Sequence, residues 1–446
     1  MKSKVSFVCQ ECGYDSPQFL GKCPECGEWN TLKEIKVEAS KISDFGSDIS
    51  GSSNKILTPK TLKEINYKEE NRFSTGFSEV DNVLGGGIVP GSVTLLAGDP
   101  GIGKSTLLLQ IGLILGGLKK TENAILYVSG EESEDQIKLR AKRISKDITK
   151  NNFFVVASNN TNAIVELLAK TKPKLAIIDS IQTMESENLS GLSGSVGQVR
   201  YAAALFIRIA KTLGISIIMV GHVTKEGMVA GPMVLSHMVD TVLFFEGDKF
   251  TRTRILRSLK NRFGPVDEVG IFTMGNIGIT EVKNPEQIFL TESLRRSAGS
   301  VITVTLEGTR ALPVEIQSLV VFSKLPVPRH VATGVDPKRL EILLAVLQKH
   351  CNLPLLTMDV FMNVAGGIKL TDPGADLSIC LAIFSSLRNI PLNKIVGIAE
   401  VGLLGELRSV PLLEKRAKEA RKLGFKNIIS SETHKSIKDV LESIGR

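Results

Sequence analysis

Aromatic side chains are scarce in this chain, with one tryptophan and four tyrosines among 446 residues, which argues against a surface built on aromatic stacking. Acidic residues are the minority charge, 47 Asp and Glu against 55 Lys and Arg, giving a net +8. That modest excess favours an anionic partner, with nucleic acid as one candidate. Long hydrophobic runs are missing too. The N-terminal MKSKVSFVCQ turns polar after a short apolar stretch, which is not the pattern of a secretory signal. The most apolar region, Leu107 to Leu118, is broken by Gln110 and glycines and is too short to span a bilayer. A cytoplasmic protein without a membrane partner is the expectation. Cysteines number only six, and four of them fall within the first 26 residues, so a uniform disulfide framework is excluded. The length exceeds one ordinary core and suggests two or three domains.

The four crowded cysteines read CQECGYDSPQFLGKCPEC: Cys9 and Cys12, then Cys23 and Cys26, ten residues apart. Each C-x-x-C pair places two thiolates on one tight knuckle, and two facing knuckles make the tetrahedral sulfur cage that zinc prefers. Gly13 and Gly27 suit the turns that aim amides at the sulfurs. A redox dithiol is the alternative, but doubling of the motif favours zinc. Four protein ligands leave no open metal position, so residues 1–30 read as a structural zinc finger and a contact surface. Residues 31–60, polar and serine-rich, read as a linker.

GDPGIGKST then stands between the apolar VTLLA and LLLQIGLIL. It fits G-x-x-x-x-G-K-[ST], with Gly98, Gly103, Lys104 and Ser105 in register. The stretch Gly98, Asp99, Pro100, Gly101, Ile102, Gly103, Lys104, Ser105 and Thr106 is therefore the expected nucleotide site for ATP. Glycines let backbone amides turn inward on phosphates at a helix N-terminus. Lys104 is expected to reach the β and γ phosphates, and the Ser105 hydroxyl to ligate Mg2+.

Apolar segments recur downstream: AILYVSGEE, NFFVVAS, KLAIIDS, GISIIMVGH, DTVLFFEG and TRILRSLKN. Such runs, separated by longer amphipathic stretches, predict an α/β fold with a mainly parallel sheet, whose ligands gather at strand carboxyl ends. Asp179 ends one strand and suits a magnesium carboxylate. Glu131 and Glu132 end another, either placed to orient the attacking water. His222 ends a third, as a sensor of the γ phosphate or an ordinary loop histidine. Lys260 and Arg262 follow a strand with no acid close in sequence, which leaves them free to reach a neighbour's nucleotide. A solvated basic turn is the plainer alternative.

This arrangement resembles the RecA family core, and KNRFG at Lys260 to Gly264, together with the four-cysteine start, is similar to the bacterial RadA (Sms) family in particular. The resemblance runs over essentially the whole chain. It implies an ATP-dependent, DNA-dependent ring motor of recombination and repair, a hexamer by family habit, acting on single-stranded and branched DNA beside a RecA-type recombinase. It also aligns Glu131 with the catalytic glutamate. ESENLSGLSGSVGQVR and HVTKEGMVAGPMVLSH correspond to two segments that line DNA, which adds Arg200 and Lys225 as DNA-contact candidates beside Lys260 of KNRFG; the first of these segments could equally be a simple connection.

The RecA-like domain is thus expected over 61–284, and a second domain over 285–446. The latter opens on SVITVTLEGTRALPVEIQSLV and resembles the α+β proteolytic domain of Lon in DVFMNVAGGIKLTDPGADLSICLAIFSS and VGLLGELRSVPLLEKRAKEARKLGFKNIIS. Lon-type peptidases need a serine nucleophile and a lysine base, whereas the matching positions here are Ala375 and Glu414. Ser378 and Lys415 lie near enough in sequence to be considered as a displaced dyad. The expectation is an inactive scaffold for assembling rings or holding DNA. A Lon-like protease and an autophosphorylating switch similar to the KaiC proteins are the competing functions.

Overall fold

The computed structural model describes residues 4–9, 15–16, 18–24, 27–37, 61, 72–117, 124–145, 152–189, 192–222, 232–247, 252–282, 297–392 and 394–445. The chain divides into two compact units, Met1–Glu281 and Val282–Arg446.

Within the first unit, a small three-stranded sheet comes first, with Lys4–Cys9 central between Asp15–Ser16 and Leu32–Val37. The last strand pairs antiparallel along its whole length, from Lys4 opposite Val37 to Cys9 opposite Leu32. The cysteine-bearing module thus runs on to Val37, past the expected start of the linker at residue 31. Cys9, Cys23 and Leu32 form one buried cluster with Phe7 and Leu20 packed against it.

A nine-stranded sheet dominates the unit. From edge to edge it runs Gly278–Glu281, Val269–Gly275, Thr253–Asn261, Thr241–Glu246, Val93–Gly98, Ser216–His222, Leu175–Asp179, Ile125–Ser129 and Phe153–Ala157. The strands from Thr241–Glu246 to Phe153–Ala157 are all parallel. The first three are antiparallel, so TRILRSLKN begins a meander at one side. Central strands such as Val93–Gly98 and Leu175–Asp179 are buried along their length, as a sheet covered on both faces requires. Two apolar cores result. One contains the helix Lys104–Gly116 and Phe245 with Phe272; the other holds Phe206 and Ile209 of the helix Val196–Leu213.

Gln110, which interrupts the apolar run of the helix Lys104–Gly116, exchanges two hydrogen bonds with the main chain of Ile279, at 2.7 and 2.9 Å. A half-buried amide in an otherwise apolar helix is satisfied in this way by an edge strand. Among the described residues no helix is long and apolar enough to cross a membrane.

The second unit is a mixed α/β body. Its six-stranded sheet runs His330–Thr333, Met358–Val364, Arg310–Phe322, Ser300–Glu307, Ile395–Ile398 and Asn427–Ser430. Helix Asp376–Arg388 packs on it with all of its first ten residues buried.

Candidate functional site

Strand register builds the site. Gly98 pairs with His222, and Ser129 with Asp179, so four neighbouring parallel strands end at one level of the sheet. The loop after Gly98 climbs into the helix Lys104–Gly116. A Cβ on Gly98 would stand 2.2 Å from the Phe245 carbonyl oxygen, and Gly101 has a φ of +78°; neither position accepts a side chain without strain.

Lys104 is buried, and its ammonium donates to the carbonyls of Gly98 at 2.7 Å and Asp99 at 2.9 Å. Burial lowers its pKa to about 8, against the opposing pull of Asp179, Asp99 and Glu131. Ser105 and Thr106 occupy the first helical turn, half-buried. Asp179 closes its strand, nearly buried, and takes a hydrogen bond on Oδ2 from the Tyr127 hydroxyl. Burial, then the Asp179 charge, pushes the Tyr127 hydroxyl well above its ordinary range.

The two glutamates part company. Glu131 Oε1 accepts from the Ser180 hydroxyl at 2.7 Å and lies 3.6 Å from His222 Nε2. Glu132 turns aside to Arg140, at 2.8 Å. Burial lowers the pKa of His222, the Lys104 charge adds to the effect, and Glu131 opposes both. His222 is held through its carbonyl by Gln182 at 3.1 Å, while His222 Nδ1 and Gln182 Oε1 are buried without a hydrogen-bond partner among the described residues. Lys104, Asp179, Glu131 and His222 therefore share one pocket of charge at the mouth of the loop. Its oxygen donors, the Ser105 hydroxyl and the Asp179 carboxylate, are of the hard type that magnesium takes.

Lys260 and Arg262 are not free, as their sequence neighbourhood suggested. Lys260 turns inward, donating to the carbonyls of Ser236 at 2.7 Å and Val239 at 2.8 Å. Burial and then the Arg262 charge lower its pKa. Arg262, more than half exposed, sits 3.5 Å from the buried Asp240 carboxylate. Asp240 precedes the strand Thr241–Glu246, which lies beside Thr253–Asn261; an acid 22 residues away in sequence is adjacent across the sheet. The rest of the segment is tied down too. Asn261 caps the helix Ser78–Leu84 through the Leu84 carbonyl at 3.2 Å, and Arg72 reaches the Phe263 carbonyl at 2.6 Å. Arg200 is exposed near the start of Val196–Leu213. Lys225 lies outside the described residues.

Of the four zinc candidates, Cys9 and Cys23 are described and fully buried together, and Cys12 and Cys26 lie outside the described residues. The chain doubles back after Cys23, with Gly27 N–H donating to the Cys23 carbonyl at 2.9 Å. Cys9 Sγ lies 3.1 Å from Thr31 Oγ1. Two thiols enclosed beside such a turn fit a metal knuckle.

In the second unit, Ala375 is buried just before the helix Asp376–Arg388. Ser378 is fully buried, its hydroxyl 3.0 Å from the carbonyls of Ile302 and Gly397 and 3.2 Å from Gly397 N–H. Glu414 and Lys415 are exposed. A serine so engaged, with the candidate lysine in solvent, is not an activated nucleophile. The place beside Gly374 is instead filled by Arg416, buried and paired with Asp372. Tyr127, Ser180, Asp240 and Arg416 were not singled out from the sequence. For Tyr127 a signal existed, since a tyrosine in a fully buried strand needs a partner for its hydroxyl.

Comparison with known proteins agrees with this architecture. A family profile described as "AAA domain" matches residues 58–228, and one described as "Rubredoxin metal binding domain" matches 7–34. The "DNA repair protein RadA" of Bacillus subtilis (strain 168) is 47% identical over 429 residues, covering 96% of this chain and 92% of that protein. The RadA of Halalkalibacterium halodurans is 44% identical over 100% of this chain and 96% of its own, and that of Pseudomonas aeruginosa 47% over 96% and 93%. With its mostly parallel sheet, its phosphate loop and its cysteine-bearing first module, the chain belongs to the RadA family of DNA repair proteins.

Proposed function

We propose that the chain is a DNA-dependent ATPase of recombinational repair, working as a ring, hexameric in our reading, on single-stranded and branched DNA beside a RecA-type recombinase. The observation that carries the ATPase reading is the meeting of Lys104, Asp179 and Glu131 at the mouth of the phosphate loop. Lys104 neutralises the β and γ phosphates as it leaves the Gly98 and Asp99 carbonyls. Glu131, rather than Glu132, takes the proton of the attacking water, because Glu132 is already paired with Arg140. His222, next to Glu131 and at the start of the segment running to His237, reads the γ phosphate. Mg2+, held by Ser105 and Asp179, would supply charge neutralisation of the phosphates.

Arg262 is the cation offered to a neighbouring subunit. Its exposure and the long 3.5 Å contact with Asp240 support this, whereas Lys260 is better placed to hold the main chain at Ser236 and Val239. Arg200 and Lys225 contact DNA in this reading. Residues 285–446 form a Lon-protease-like scaffold without peptidase chemistry, and the N-terminal module holds Zn2+ on Cys9, Cys12, Cys23 and Cys26.

ATP hydrolysis measured with and without single-stranded DNA, beside a casein digest, tests the whole. DNA stimulates turnover and casein stays intact if the proposal holds. Turnover indifferent to DNA, with no retention of the oligonucleotide, rejects it.

A further inference from the structure

The phenol of Tyr127 meets the carboxylate of Asp179 inside the sheet. Tyr127 belongs to the strand Ile125–Ser129, and the register of the adjoining parallel strand Leu175–Asp179 sets it opposite Ile177. Its ring is 1% exposed and tilted against Phe153 at 6.1 Å. Among the described residues, its hydroxyl is the side-chain group that donates to Asp179, at Oδ2.

Behind the phenol stands Arg140, on the helix Glu134–Ile144. Its Nη2 donates to the Tyr127 oxygen at 3.3 Å while its Nη1 holds Glu132 at 2.8 Å. A phenol carries one proton and can accept on its oxygen. With a guanidinium supplying a proton from one side, the phenol's own proton points to Asp179. Packing alone would be served by phenylalanine, and a buried hydroxyl is costly unless it is paired. One carboxylate oxygen is therefore occupied from within the sheet, and the rotation of the group is fixed.

We propose that Tyr127 is the positioning residue for the metal-binding carboxylate: it holds Asp179 Oδ2 and so presents Oδ1 to the cation, with Arg140 setting the direction of the phenol proton. The idea rests on the assignment of Asp179 to magnesium made above. Groups that orient a metal ligand are worth about 10- to 100-fold in metal affinity or activity. The Glu132–Arg140 pair then acts as the outer anchor of this chain of contacts, which gives the second glutamate a purpose other than that of Glu131.

The test is a titration of Mn2+, followed by electron paramagnetic resonance, into the full chain saturated with a non-hydrolysable ATP analogue. Tyr127→Phe keeps the ring and removes the hydroxyl. It is expected to weaken Mn2+ binding about tenfold or more and to raise by a similar factor the Mg2+ concentration for half-maximal turnover. Its metal-free affinity for the analogue stays near the parent's, and its thermal midpoint falls no further than the loss of one buried hydrogen bond requires. Arg140→Gln shifts Mn2+ binding in the same direction by a smaller factor. Asp179→Asn is the reference. If Asp179→Asn weakens Mn2+ binding and Tyr127→Phe leaves it at the parental value, the positioning role is overturned while the metal role of Asp179 stands. If both variants match the parent, Asp179 itself has been misassigned. Should Tyr127→Phe fail to fold, Arg140→Gln decides, and parental Mn2+ affinity there overturns the proposal.

Discussion

Arg262 Nη1 lies 3.5 Å from Asp240 Oδ1, and the other oxygen of that carboxylate holds Lys211 at 2.5 Å and the Val93 amide at 3.0 Å. A buried acid with a second cation does not need the first. Arg262→Ala should therefore leave the fold within about 1 kcal/mol of the parent. It should lower DNA-stimulated turnover about a thousandfold if the cation acts across a subunit boundary, with nucleotide affinity largely kept. Equal turnover in variant and parent would refute the role in trans.

Glu131 and Glu132 are neighbours in sequence with separate partners, Ser180 for the first and Arg140 for the second. Replacing each by glutamine separates their roles. Glu131→Gln should cut the catalytic rate by about 100-fold or more and retain ATP binding, whereas Glu132→Gln should cost far less. Single-turnover hydrolysis measures both; the reverse ranking would move the base to Glu132.

Lys104 titrates near pH 8 before nucleotide arrives, lowered from 10.5 by burial. Its charged form meets the phosphates, so kcat/KM for ATP should fall above about pH 8, approaching tenfold per pH unit. Bound phosphates raise the lysine's affinity for its proton, and kcat should hold to higher pH. Lys104→Ala should abolish turnover. A kcat/KM flat to pH 10 would show that the ammonium keeps its proton throughout.

Lys260 caps the Ser236 and Val239 carbonyls. Lys260→Met leaves them without that donor and should destabilise the first unit by about 1 to 3 kcal/mol. Scanning calorimetry would read this as a lowered transition, larger than any seen for Arg262→Ala. An unchanged transition would mean that water replaces the ammonium without loss.

Ser378 is bound to the main chain of Ile302 and Gly397. Ser378→Ala should lower the stability of the second unit by about 1 to 3 kcal/mol and change no peptidase activity. Casein cleavage by the parent that vanished in this variant would restore the displaced dyad.

The sheet was legible because each of its central strands is an unbroken apolar run, and the phosphate loop because its glycines and lysine keep a spacing that backbone geometry demands. The choice between Glu131 and Glu132 was not, since it depends on Ser180 and Arg140, which approach from a different strand and helix. Arg262 looked solitary for the same reason: sequence shows acids along the chain, and Asp240 is a neighbour across strands. Leu32–Val37 was hidden by three polar residues within it, and its partner is a strand 28 positions upstream. Ser378 remained a candidate only while its burial was unknown.

The carbonyl of Phe245 presses so close to Gly98 that the adjoining strand acts as a template for the bend above it. The curve of the anion seat is then set on one side by main-chain atoms, with Lys104 and Arg254 holding its carbonyls, and it is already in shape when a triphosphate arrives. Binding demands little rearrangement of that floor. Side-chain drift in the sheet has little purchase on the outline beneath Gly98, where the neighbouring atoms belong to a backbone.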